Sequence, residues 1–565
     1  MTPADLGLLV RTAAALRPAQ IVARVRLRGQ REAWRRWPAL AERAFTGRPL
    51  PTGGGWPAGF TPVDVLLDHW PHADELREGH VTLLGRTGDL GAEWDHGDAP
   101  QLWRFHLHYW DWAHGLAPCL ADRAVFARLW RSWRAATPIG RGDAWSPYVV
   151  SLRAWSWCAQ YARLVAGTDL EDEFRDALAV HLRYLRWHLE RDVGGNHLMK
   201  NLKAVVGLGV FLGHERAVEE GVRDVAREVE RQVLPDGGHY ERAPAYHCQV
   251  LADLVDVVGL LRAADRTVPP VLADAVHRMR RWLGAILGPD GRVPMLNDGY
   301  PVPAAALAAL APAPAPTGVT ALADSGLVAA STGPWHLLAD IGDPCPRDLP
   351  AHAHADTLSF LLWLGARPFL VDTATSTYAP GPRRAYERST AAHSTAVVDG
   401  RDSTEVWGAF RAARLAHATL EAAASDGAVV SVRGSHDGYE RGRAPVRHRR
   451  SWTIEGAEVT VRDRFEGVGE HDIALHWHLD PALGARLEGD DVVVAAGPPV
   501  RVRCAGPGDW EVVAPDGTEV AVDFERLRPA TTLRRSARVT VPATWTTTFI
   551  AEHGPDAPPS ARSAQ

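Results

Sequence analysis

The run Pro301-Val-Pro-Ala-Ala-Ala-Leu-Ala-Ala-Leu-Ala-Pro-Ala-Pro-Ala-Pro-Thr317 separates two halves of different texture. Its proline and alanine content predicts a boundary segment rather than part of either core. Before it, over residues 100–300, apolar positions recur with the helical period between short Gly, Pro or Asp interruptions. The clearest such segments are 198–212, 216–233, 246–263 and 270–287. Successive amphipathic helices joined by short loops pack as antiparallel hairpins, and many such pairs close into a bundle or a toroid. After it the period drops to two. Phe360-Leu-Leu-Trp-Leu364 and Pro368-Phe-Leu-Val371 flank Gly-Ala-Arg as a buried hairpin, and 429–433, 449–454, 458–465 and 473–479 follow as strands with Gly or Asp-Gly turns. Many antiparallel strands at this spacing predict a β-sandwich.

Length supports the division, because single cores stop growing near roughly 250 to 300 residues and this chain has 565. The expected domains are a basic helical extension and connector over 1–62, a helical domain over 63–316, an antiparallel sandwich over 317–552 and a disordered Pro- and Ser-rich tail over 553–565. Within the extension, residues 6–36 interleave apolar positions with Arg11, Arg17, Arg24, Arg26, Arg28, Arg31, Arg35 and Arg36, the pattern of a basic amphipathic helix. Docking on a membrane surface and packing on the main body with the arginines in water are both compatible with it.

With 46% hydrophobic and 23% charged residues the chain is a folded protein, and a net charge of −6 argues against a nucleic-acid-wrapping surface. Its five cysteines are scattered and include no C-x-x-C pair, which opposes a disulfide framework or a cysteine zinc site. No basic n-region precedes the apolar N-terminus, Arg11 interrupts it, and no run is long enough to span a bilayer. No signal peptide or transmembrane segment is expected, and the cytoplasm is the default location.

Titratable residues gather in four places. Asn196-His197 follow the Gly-rich Asp192-Val-Gly-Gly195, where a loop enters a helix, with Lys200 and Asn201 one turn on. A helix N-terminus attracts anions, and an amide with an imidazole can bind a carboxylate there, although Asn196 could equally cap the helix. Asp236-Gly-Gly-His-Tyr-Glu241-Arg242-Ala-Pro-Ala-Tyr246-His247 is a turn and helix start whose Tyr246 could act as acid and base in turn or sit in the core. Asn297-Asp298-Gly299 adds two polar residues on a loop. Finally, His352, His354 and Asp356 are spaced to share one face if the segment is extended, and could supply ligands to a zinc-like ion. With a turn at Gly365-Ala-Arg367, Asp372 pairs near Ser359 or Phe360, so His354 reaches it only if residues 352–357 bend back. His476-Trp-His478-Leu-Asp480 has the same spacing, but Leu475, Trp477 and Leu479 alternate with it as the apolar face of a strand. The aromatic runs at 103–112 and 145–148 suit either core packing or stacking on sugars.

At Asn196-His197-Leu-Met-Lys-Asn201, Asp236 through His247, His352-Ala-His354-Ala-Asp356-Thr-Leu-Ser-Phe, Ala-Ala-His393-Ser-Thr and Ser403-Thr-Glu-Val-Trp-Gly, the chain resembles the heparinase II/III-like family of polysaccharide lyases, relatives of heparinase and alginate lyases. The resemblance implies an N-terminal α/α toroid, a C-terminal antiparallel β-sandwich and an active cleft between them. It implies that Asn196 and His197 neutralise a uronate carboxylate, that Tyr246 and His352 are catalytic, and that His354, Asp372 and His393 hold a divalent metal, zinc by preference. Lys200, Asn201, Glu241, Arg242 and Arg388 are the accompanying substrate-binding expectations. Relatives often carry Glu where this chain has Lys200, and a second tyrosine, for which Tyr378 and Tyr386 are candidates.

The implied activity is β-elimination on an acidic, uronate-containing polysaccharide. No nucleic-acid partner is expected, and a homodimer is compatible with the class. Two alternatives remain at this level. One is a glycoside hydrolase using Glu241 and Asp298 as its carboxylate pair. The other is a catalytically silent glycan-binding protein of polysaccharide assembly.

Overall fold

The computed structural model of the protein describes residues 3–47, 55–63, 71–91, 94–315, 318–514 and 518–552. The expected tail at 553–565 and part of the connector therefore lie outside the described residues. Helices dominate from Pro3–Ala14 to Ala304–Leu310, and from Val319 to Ala551 the chain is mainly strands.

The four periodic segments are the helices Gly195–Leu212, Glu215–Gln232, Pro244–Ala263 and Pro270–Ile286. Two begin with proline, whose fixed φ suits a first turn and whose missing N–H costs nothing there. The Pro/Ala run departs from expectation by forming the short helix Ala304–Leu310. Alanine's helix propensity wins between Pro303 and Pro312, and the segment is fastened to the preceding helix: Arg280 Nε donates to the Leu310 carbonyl (2.8 Å) and Ala313 N to the Arg280 carbonyl (3.0 Å). A small hairpin, His80–Leu83 with Arg86–Asp89, is an element the helical period did not announce. Trp103, Trp110, Trp112, Trp130, Trp133 and Trp157 are all buried in the helical core, so most of the aromatic run at 103–112 is packing rather than sugar-facing surface.

The strand half has two layers. One is an eight-stranded antiparallel sheet containing 418–436, 446–467, 485–505 and 543–551. The other combines a five-stranded meander, Val319–Leu322 to Arg367–Leu370, with a four-stranded sheet containing Ala396–Val398 and Glu470–His478, joined where Leu370 bridges Leu479. The meander explains why Phe360-Leu-Leu-Trp-Leu364 is apolar at every position. Phe360 and Leu362 face the sandwich core, whereas Leu361 and Trp363 face the helical domain with Ala329 and Leu338. A strand buried on both faces reads as a continuous apolar run, and here it welds the two domains together behind the cleft.

Candidate active site

The helical wall begins at the loop into Gly195–Leu212. Gly195 has φ 55°, and a Cβ there would lie 2.2 Å from Glu241 Oε1 and 2.6 Å from Leu349 Cδ2. Only glycine lets the loop, the 236–243 turn and the sheet domain approach this closely. Asn196 N donates to Glu241 Oε1 at 2.8 Å, so this carboxylate caps the helix start. His197 is the more open member of the pair, with 32% of its side chain exposed; its Nδ1 lies 3.2 Å from Glu190 Oε1 and its ring packs at a tilt against Tyr148, with centroids 4.3 Å apart. Burial favours the neutral ring, but Glu190, Glu241 and Asp192 outweigh it and raise the pKa above the ordinary histidine value. Tyr148 thus brings one member of the aromatic runs beside a site residue.

Asn201 and Lys200 turn away from the cleft. Asn201 Nδ2 donates to Glu190 Oε2 (3.0 Å) and Ser151 Oγ (3.0 Å), and its Oδ1 accepts from Glu190 N (2.8 Å). It therefore steers Glu190, and through it His197, instead of meeting substrate. Lys200 Nζ is buried against Asp253 Oδ1 at 2.6 Å, beside Lys203 Nζ, which spans Asp253 and Asp256. Its charge is consumed inside the helical domain. Arg242 and Arg388 also differ from expectation: Arg242 donates to the carbonyls of Asp324 and Ser325, and Arg388 to those of Pro350, Ala353 and Gly408, so both brace loops.

The sheet wall carries His352. The segment 350–358 is not extended; it folds through turns, with Leu358 at φ 64° and Ser359 N donating to the Asp356 carbonyl. The simple one-face spacing of His352, His354 and Asp356 is lost, and both histidines instead converge on Asp298. His352 Nδ1 lies 2.9 Å from Asp298 Oδ2, and His354 Nε2 lies 2.9 Å from Asp298 Oδ1. Arg384 completes the cluster with Nη1 at 2.5 Å from Oδ1 and Nη2 at 2.9 Å from Oδ2. Burial alone would raise the Asp298 pKa, but Arg384 and the two histidines hold it well below the usual carboxylate range.

His352 Nε2 faces Glu241 Oε2 at 3.2 Å, and its ring stacks on Tyr246 with centroids 3.8 Å apart. Tyr246, from the first turn of Pro244–Ala263, places its hydroxyl 2.7 Å from that of Tyr378 in the sheet domain. Burial, followed by the neighbouring phenols and Asp298, pushes the Tyr246 pKa well up, and burial with Asp298 does the same for Tyr378. Arg384 packs over the Tyr378 ring at 5.1 Å. Glu241 thus links Asn196 to His352, whose ring meets Tyr246 between the two domains, and His197 lies beside Asn196 against Glu190. Asp298, Arg384, Tyr378 and Glu190 surround them; in the sequence Asp298 reads only as a loop residue or a hydrolase acid and Tyr378 only as one candidate for a second tyrosine.

The expected metal set is partly engaged elsewhere. Asp372 Oδ2 lies 2.7 Å from His393 Nδ1, and its Oδ1 accepts from Ala374 N. His354 Nδ1, His393 Nε2 and both Asp356 oxygens are buried without partners. These are suitable donors for a zinc-like ion, yet among the described residues no three His, Cys, Asp or Glu side chains converge as a metal site. Burial lifts the Asp356 pKa to about 7. Of the rival pair, His478 contacts Thr532 Oγ1 (2.9 Å) and the Ala391 carbonyl (3.0 Å), in a strand whose Leu475 and Trp477 enter the core.

Comparison with known proteins agrees with this architecture. Residues 92–311 match the family described as Heparinase II/III N-terminus, and 314–553 match Heparinase II/III-like, C-terminal. FtsZ-localized protein C of Caulobacter vibrioides is 26% identical over 363 residues, covering 62% of each chain. A heparin-sulfate lyase of Pedobacter heparinus is 24% identical over 226 residues, covering 37% of this chain and 34% of its own. The chain thus spans less than two thirds of the length of these curated relatives. Heparinase III shares the fold, an α/α toroid followed by a β-sandwich, with a TM-score of 0.72 over 96% of this chain and 94% of that chain at 16% identity. With both of its domains matched in order, the chain belongs to the heparinase II/III-like family.

Proposed function

We propose that the protein is a polysaccharide lyase that cleaves an acidic, uronate-containing polysaccharide by β-elimination in this cleft. The observation that carries the proposal is the 2.7 Å contact between the Tyr246 and Tyr378 hydroxyls, one from each domain, directly beside His352. In the reaction Asn196 and His197 pair with the uronate carboxylate, which acidifies the C5 proton. The C5–H bond breaks, a C4–C5 double bond forms, the C4–O bond is cleaved, and the departing oxygen takes a proton. A phenol with a raised pKa remains protonated at neutral pH, which suits Tyr246 to that last task. His352, stacked on Tyr246, is the base that takes the C5 proton, and Tyr378 holds the Tyr246 hydroxyl toward the leaving oxygen.

The same carboxylates argue against a glycoside hydrolase. Asp298 is held ionised by Arg384, so it has no proton to give, and Glu241 is bonded to Asn196 N on one oxygen and faces His352 on the other. A divalent ion, zinc by its nitrogen and oxygen donors, belongs to the proposal at His354, His393 and a neighbouring carboxylate, Asp372 or Asp356. It would supply fixed positive charge behind His352, and the steps above do not pass through it. Incubating the protein with a panel of uronate polymers tests the proposal. New ultraviolet absorbance from the unsaturated uronate supports the lyase. New reducing ends without that absorbance identify a hydrolase, and binding with neither signal identifies a silent glycan-binding protein.

A further inference from the structure

The N-terminal helices Pro3–Ala14, Pro18–Arg36 and Pro38–Phe45 precede both regions matched by the family and take no part in the cleft chemistry. They form a strap across both domains. Thr12 Oγ1 donates to the Ala412 carbonyl (3.0 Å) and Arg11 pairs with Glu405 (3.1 Å) on the sheet side; Trp34 Nε1 donates to His188 Nε2 (2.8 Å) on the helical side. In the middle helix the inward stripe is Gln20, Ala23, Leu27 and Trp34, all buried.

The outward face of that helix is what a packed surface helix should not have. At about 100° per residue, Ile21, Val22 and Val25 lie opposite the buried stripe. Val22 is 69% exposed and Val25 68% exposed. Arg28 and Arg26, both exposed, flank this apolar arc on its two sides. Leu6, Leu9 and Val10 in the first helix, with Trp37 and Leu40 near the third, are exposed as well. Eight of the thirteen large hydrophobic side chains exposed among the described residues thus fall in this strap. Its residues 3–47 carry nine arginines against three carboxylates, on a chain whose net charge is −6; Arg11, Arg17 and Arg24 pair with Glu405, Asp348 and Asp192 of the main body, and Arg26 and Arg28 beside the apolar arc are exposed.

We propose that this strap is a membrane-docking surface, lying flat on an anionic lipid bilayer with Ile21, Val22 and Val25 at the boundary between headgroups and acyl chains and the exposed Arg26 and Arg28 on the headgroups. The lipid is favoured over a polymeric acid because aliphatic side chains have nothing to gain from a polysaccharide, whereas an apolar arc bordered by arginines matches the bilayer interface in both hydrophobicity and charge. Spanning is not its mode. Among the described residues no single helix is long and apolar enough to cross a membrane, and the first two helices are bent by 113° at their junction.

Flotation of the full chain with vesicles of phosphatidylcholine, alone or mixed with phosphatidylglycerol, tests this. The expected result is binding to the anionic vesicles, little to the neutral ones, and loss of binding at high salt. V22E/V25E changes two exposed positions and should abolish flotation while leaving the melting temperature unchanged, and R26S and R28S should each weaken it by about fivefold. Absence of binding to anionic vesicles overturns the proposal, as does binding that V22E/V25E leaves intact. Self-association that V22E/V25E abolishes, without lipid binding, overturns it in favour of a second copy of the chain. None of these outcomes depends on lyase activity.

Discussion

Asp298 on the last loop of the toroid and Arg384 in the sandwich form a two-pronged ion pair, at 2.5 and 2.9 Å, that is sealed from solvent and also holds both His352 and His354. The pair joins the domains at the point where the chemistry is placed. Asp298→Asn leaves Arg384 as a buried charge without its counterion, and such a loss costs about 3 to 5 kcal/mol. Urea unfolding should register that drop. Activity in the folded fraction should fall as well, because His352 loses the partner that fixes its ring. A variant with wild-type stability would show that the pair does not bind the domains together.

Tyr246→Phe keeps the ring that stacks on His352 and removes the hydroxyl that meets Tyr378. The expected outcome is a fall in elimination rate of about 10²- to 10⁴-fold, the usual contribution of a positioned acid or base, with an unchanged melting temperature. Tyr378→Phe should behave alike. Rates within error of wild type for either variant would remove that phenol from the mechanism.

Metal content is checked by elemental analysis of the purified protein and by stripping with a chelator. Bound zinc in wild type that is lost in His354→Ala and His393→Ala is the expected result. It would mean that Asp372, now turned to His393, rotates into a coordination shell with the ion present. Removing the ion should lower the melting temperature, since the partnerless nitrogens of His354 and His393 would again be buried without a bond. Wild-type protein without metal would leave these atoms as polar groups the fold simply tolerates.

The change of period at the Pro/Ala run made both domains legible, because burial on one face imposes 3.6 on a helix and 2 on a strand regardless of partners. The polar runs around Asn196, His197, Tyr246 and His352 stand out in the sequence, but the roles proposed for these residues come from the family resemblance, since each run taken alone also fits a cap or a core position. Lys200 and Asn201 were misplaced for a physical reason: helix positions three and four residues past His197 point in different directions, and only the packed structure shows that one meets Asp253 and the other Glu190. Arg384 carries no signal in the sequence and Tyr378 is only one of two candidates for a second tyrosine, since their placements arise from contacts with residues 86 and 132 positions away. If Lys200 is structural, Lys200→Ala should lower the melting temperature through the unpaired Asp253 while leaving KM of the folded enzyme unchanged. A raised KM at constant stability would return Lys200 to the substrate.

His197 gives the cleft a pH dependence whose sign is fixed. Its pKa lies above the ordinary value because Glu190, Glu241 and Asp192 outweigh burial, so the folded protein holds the proton more tightly than the unfolded chain. The stabilisation this supplies is fully present below the unfolded value and is lost as pH rises through the raised one. In the proposed reaction the same proton makes the ring a cation for the uronate carboxylate, and substrate affinity should therefore weaken over that alkaline range while the phenols remain protonated. Measured as KM against pH, the wild type should show a single rise in this window. His197→Gln should start from weaker binding and show no such rise. Retention of the rise in His197→Gln would assign it to another group, and a wild-type KM independent of pH would separate His197 from carboxylate binding.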